Sequence, residues 1–133
     1  MQCWLLSRPI NDETKRAVRE RANYLYEYCH SSERLSASRF TLALACRRCN
    51  ERRYNFVASI DPESQETVSI FNPRLQEWDK HFAWTDNGTL IEGITPIGRA
   101  TCIRLDLNDT RYPEEESIRE TRRFWIKTGL HPP

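Results

Sequence analysis

A chain of 133 residues, 38% hydrophobic and 29% charged, has room for one globular domain with a modest core and excludes a large multidomain assembly. Its formal net charge of +1 removes any whole-molecule pull toward nucleic acid, so a polyanion partner would have to be met by a local patch. Five cysteines, an odd number, argue against a disulfide framework and for a reducing, cytoplasmic setting.

At the start, Cys3-Trp4-Leu5-Leu6 is a short apolar run broken by Arg8-Pro9, too short for a signal peptide or a membrane span. Asn11 or Asp12 then suits a helix N-cap, with acids in the first turn. Val18, Ala22 and Leu25 recur at helical spacing, which predicts a helix over 12–24 with Lys15, Arg16, Arg19 and Arg21 on its solvated face. Residues 35–45 alternate as a single strand, Phe40, Leu42 and Leu44 against Thr41, Ala43 and Ala45. A short helix is expected from Arg47 to Tyr54, and Asp61-Pro62 with Ser64 marks 55–65 as a loop. Asn72-Pro73 is extended, because the residue before proline is driven out of the helical region.

Asp86-Asn87-Gly88 between His81-Phe82-Ala83-Trp84 and Thr89-Leu90-Ile91-Glu92 is a hairpin signal, since Asn-Gly supplies the positive φ angles a tight turn demands. Thr95-Pro96 opens another helix through Leu107. Pro113 and three glutamates open the last helix, which carries Ile118, Arg122 and Trp125 on one side and ends at Gly129. Trp78, Phe82, Trp84, Leu90, Ile91, Ile94, Leu105, Phe124 and Trp125 form the expected core. The whole reads as one α+β domain.

Chemistry is concentrated in Cys46-Arg47-Arg48-Cys49-Asn50-Glu51-Arg52-Arg53. Two thiols at C-x-x-C spacing on a short helix are half of a zinc clamp, and Cys29 in Glu27-Tyr28-Cys29-His30 is a third donor. His30 would complete the set as a fourth ligand, though with strain, and an alternative leaves the thiols free. Cys3 and Cys102 read as isolated thiols. Residues 33–53 carry six arginines against two acids, Glu33 and Glu51, so Arg47, Arg48, Arg52 and Arg53 are candidate phosphate contacts.

These pieces, with Arg19-Glu20-Arg21-Ala22-Asn23-Tyr24, Phe71-Asn72-Pro73-Arg74, His81-Phe82-Ala83-Trp84, Gly93-Ile94-Thr95 and Gly98-Arg99-Ala100-Thr101, resemble the HNH endonucleases, a cyanobacterial-type subgroup in particular. The resemblance implies a ββα-metal core clamped by zinc, residues 12–56 being a truncated version of it and 57–133 a downstream hairpin and helices packed on it. It also implies metal-dependent phosphodiester hydrolysis of DNA, with a catalytic Mg, Mn or Zn ion. In the family an Asp-His pair on the first strand supplies the general base and a metal ligand.

Here the chain departs from that pattern. Residues 31–45 contain neither His nor Asp, and the middle asparagine is also missing, as if one in-frame deletion had removed them together. Asn50 is the one surviving member of the catalytic trio, and Tyr26 stands where the first clamp cysteine belongs. The shortened stretch leaves about one strand, so the family hairpin is not expected to form. His30 or His81 would have to take the base's place for activity to survive. The expectation is therefore a degenerate active site and a catalytically dead family member, with zinc as a structural cofactor. A non-catalytic nucleic-acid-binding protein using the arginine-rich helix is the alternative, and an active nuclease with an unfamiliar ligand set is a third. Oligomeric state is left open.

Overall fold

The computed structural model describes residues 11–32, 38–40 and 44–133. It is a mixed α+β structure in which, among the described residues, four α-helices accompany three two-stranded antiparallel sheets. Cys3 lies outside the described residues.

Helix α1 spans Asp12–Arg21, capped by the Asn11 side chain, which accepts from the Thr14 amide at 2.8 Å. It ends three residues earlier than the sequence suggests. Asn23 and Tyr24, with φ of 52° and 58°, turn the chain out of the helix. Strand β1 (Ser38–Phe40) then pairs with β2 (Leu44–Cys46), placing Phe40 opposite Leu44. This corrects the expectation of one strand and no hairpin. The three residues described on each side suffice for an antiparallel pairing, so a stretch read as one strand supplies two. Helix α2 (Arg47–Arg53) follows β2 directly.

Strands β3 (Ala58–Ile60), inside the stretch 55–65 read as loop, and β4 (Thr67–Ser69), just beyond it, form a second hairpin. The turn chemistry was read correctly: the Asp61 carboxylate accepts from the Glu63 and Ser64 amides, closing the bend between the strands. The flanking strands were missed because each is three residues long and largely exposed, without an apolar alternation to announce it. Strands β5 (Phe82–Thr85) and β6 (Leu90–Gly93) make the expected Asn-Gly hairpin, with positive φ at Asp86, Asn87 and Gly88.

Helix α3 (Pro96–Leu105) is capped by Thr95, whose hydroxyl accepts from the Gly98 amide. It lies so close to Gly93 of β6 and to His81, just before β5, that a Cβ on Gly98 would run into the His81 carbonyl oxygen. The glutamates at 114–116 form a separate 3-10 turn, and α4 (Ile118–Lys127) starts only after Ser117, whose hydroxyl accepts from the Arg119 amide. The extended backbone of Ser117, ψ 163°, is what divides the two.

One buried cluster joins both halves of the chain: Val18, Tyr26, Tyr28, Cys29, Leu44, Cys46 and Cys49 meet Phe71, Trp78, Phe82, Ile91, Leu105 and Leu107. The Trp78 indole donates to the Tyr28 carbonyl at 2.9 Å, which fastens the Cys29 turn to the downstream half. Ile94 and Phe124, expected inside, are exposed. No helix among the described residues is long and apolar enough to cross a membrane.

Candidate metal centre

Residues 25–32 form a tight turn. Leu25 bridges Ser32, the Tyr26 amide donates to the Ser31 carbonyl, and the His30 amide donates to the Tyr26 carbonyl. Glu27 then fixes this turn to β2. Its amide donates to the Leu44 carbonyl, while its carboxylate accepts from the Leu44 amide at 2.9 Å and from Arg21 at 2.8 Å. Cys29 is thereby held over the end of β2, where Cys46 lies.

Cys46 is at once the last residue of β2 and the N-cap of α2, its sulfur accepting from the Cys49 amide at 3.4 Å. The i,i+3 spacing turns Cys49 to the same side of the first helical turn. Cys29, Cys46 and Cys49 are all buried, and their sulfurs lie within 4.8 Å of one another. The Cys29 and Cys46 sulfurs are 3.8 Å apart. Zinc–sulfur bonds of about 2.3 Å in tetrahedral geometry separate their sulfurs by about 3.8 Å. Soft, buried thiols at that separation fit zinc and related thiophilic ions.

The electrostatics of the bare trio follow from crowding. Hydrogen bonds from Cys46 and then Cys49 hold the Cys29 thiol well below its ordinary value. The same hydrogen bond to Cys29 pushes Cys46 up to about 12, and bonds to Cys29 and Cys46 raise Cys49 well above the usual range. A divalent ion would draw off the remaining protons, so its uptake releases protons.

The other expected site residues fall in different places. His30, proposed as a fourth ligand, does not join the cluster. Its φ is 55° and its ring stacks on Trp78 with centroids 4.3 Å apart, which turns it aside. Burial lowers its pKa. Tyr26, expected from the resemblance to stand where a clamp cysteine belongs, is fully buried and helps wall a groove of about 440 Å³ beside the sulfurs. Asn50 is half-buried on α2. Among the described residues the cysteine trio is the one group of three or more His, Cys, Asp or Glu side chains placed to share an ion, so no acidic metal cluster stands beside Asn50. His81 instead bonds the cap hydroxyl of Thr95 at 2.6 Å.

The arginines divide. Arg47 is exposed and pairs with Glu51 at 2.7 Å. Arg53 lies over the Tyr28 ring, 6.0 Å from its centroid, and donates to the Tyr54 carbonyl. Arg48 and Arg52 turn inward, donating to the carbonyls of Leu107, Leu105 and Asp106 at the end of α3 and facing the Asp109 carboxylate. They satisfy helix-terminal carbonyls that have no partner within the helix.

Three residues went unrecognised as site builders. Glu27, quoted only as part of a motif, is the brace that sets Cys29 on β2. Arg122 has no exposure and donates to the carbonyls of Thr89 and Leu107 and to the Asn108 side chain. Burial pulls its pKa down to about 10. Its spacing with Ile118 and Trp125 on an apolar helix face was the available signal. Asp109 had none, because its role depends on α3 bringing its far end beside α2. Compared with known proteins, the chain matches no family model, no curated protein and no solved structure.

Proposed function

We propose that this chain is a thiolate-clamped relative of the HNH endonucleases in which the metal-binding part survives as a structural device and phosphodiester hydrolysis is gone. The observation that carries the reading is the convergence of Cys29, Cys46 and Cys49 into one buried group of sulfurs. The local order supports it: a short turn bearing one thiol, a hairpin, then a helix with the other two thiols at its start. Cys29, Cys46 and Cys49 would hold a zinc ion, which would tie the 25–32 turn to the β2–α2 junction. When bound, that ion supplies cross-linking and charge neutralisation rather than a nucleophile.

Hydrolysis requires a base and a metal-holding carboxylate at one point. Asn50 offers an amide, and the nearest acid in sequence, Glu51, is paired with Arg47. His81 is tied to Thr95. Non-catalytic nucleic-acid binding is the weaker reading, since Arg48 and Arg52 turn inward and donate to carbonyls inside the protein.

Two measurements test the proposal together. The purified chain should bind one equivalent of zinc through sulfur, and should leave supercoiled DNA intact with magnesium, manganese or zinc. Chelator-sensitive nicking, or failure to bind zinc in reduced protein, contradicts it.

A further inference from the structure

We propose that the three-sulfur centre takes an external thiolate of the cysteine class as its fourth ligand, admitted by the groove that Cys29 and Cys46 help to wall. This rests on the metal reading above and adds the ligand. Zinc held by sulfur completes a tetrahedron, and a site with three protein ligands leaves one position for a molecule from outside. Among the described residues no fourth His, Cys, Asp or Glu donor joins the trio. His30, its sequence neighbour, is stacked on Trp78.

The groove reaches the sulfur-bearing residues Cys29 and Cys46 and has volume for a small molecule, about 440 Å³. Its lining suits an amino-acid thiol. Trp125 and Ile118 offer apolar wall, while the exposed Arg47 brings a guanidinium group of the kind that grips carboxylates. Arg47 is available to an incoming carboxylate, because its pair with Glu51 is exposed on both sides and such pairs are weak. A centre already built of soft sulfur favours a soft fourth donor over an oxygen one. The exchange balances simply: the thiol gives its proton to solvent, its sulfur bonds the metal, and a solvent ligand departs with no change of oxidation state.

The test uses the wild-type chain reduced with a phosphine, so that no other thiol is present, and loaded with cobalt(II). Cobalt reports sulfur ligation through charge-transfer absorption, whereas zinc is spectroscopically silent. Addition of N-acetylcysteine should raise that absorption by about one third, as three sulfur donors become four. N-acetylalanine should leave it unchanged. In Arg47→Met, half-saturation should need about two- to fivefold more N-acetylcysteine, the size of an exposed charge pair.

Absorption that does not respond to N-acetylcysteine overturns the proposal. So does an absorption that starts at the four-sulfur level and falls in Cys3→Ser, or loss of cobalt to the added thiol on gel filtration. Unchanged half-saturation in Arg47→Met overturns the carboxylate contact. Absence of any sulfur band before thiol is added is a different failure, that of the metal reading itself.

Discussion

Residues 57–133 and residues 11–56 are held together by different means. In the downstream part, Phe71 meets Phe82 edge to face, Trp78 lies against Phe82 and Trp84, and α3 is pressed backbone to backbone on β6. Dispersion and apolar burial carry most of that part, with the buried Arg122 and the Asp61–Arg99 pair added to them. In the upstream part the buried side chains at its centre include three cysteines. What binds it is a carboxylate brace, Glu27, two inward arginines, and a sulfur trio. The difference teaches where a metal would matter: a cross-link would act where thiols stand in the core in place of larger apolar side chains.

The comparison is broken most severely at Cys49, the fully buried member of the trio. Structural zinc sites deliver roughly 10–16 kcal/mol, so losing one sulfur of three removes about 4 kcal/mol of binding, a change near a thousandfold. Cys49→Ser should show that loss in a competition titration with a chromophoric chelator, with the downstream aromatic near-UV signal retained. An unchanged affinity would remove Cys49 from the site.

Gly98→Ala attacks the other half. The added Cβ would run into the His81 carbonyl oxygen, and neither backbone can yield cheaply. A stability loss of about 3 kcal/mol, at the upper end of overpacking costs, is expected in urea unfolding. Arg122→Met is next. Removing the guanidinium leaves the carbonyls of Thr89 and Leu107 without that donor, partly offset by the apolar replacement. A loss of about 2 kcal/mol should appear in the same assay, and a neutral result would show that the buried cation is dispensable.

The smallest effect concerns acid. The Arg99 guanidinium, bonded to both carboxylate oxygens of Asp61 at 2.8 and 2.9 Å, holds that carboxyl well below its usual range. Because the folded value is depressed, the contribution is complete above the unfolded carboxylate pKa of about 4 and is lost as pH falls below it. Asp61→Asn should flatten the decline in melting temperature between neutral and acid pH without moving metal affinity. A matching decline in the variant would assign the acid sensitivity elsewhere.

Much of this arrangement was legible in the sequence where local chemistry decides it. The Asn11 cap, the Asn87-Gly88 turn and the Thr95-Pro96 start each depend on residues within four positions, and each formed where expected. Cys29, Cys46 and Cys49 were legible as donors for the same reason. What escaped depends on distant partners. The inward turn of Arg48 and Arg52 requires the end of α3, more than fifty residues away. The stacking of His30 on Trp78 requires the downstream core. The β1–β2 hairpin was missed because one strand was read across a stretch that holds two short ones.

Hydrogen exchange with and without a chelator tests the central claim most directly. With zinc removed from reduced protein, amides of residues 25–32 and 44–53 should lose protection while those of 82–105 keep theirs. Equal protection of both regions, with and without zinc, would contradict the view that sulfur and a metal hold the upstream half together.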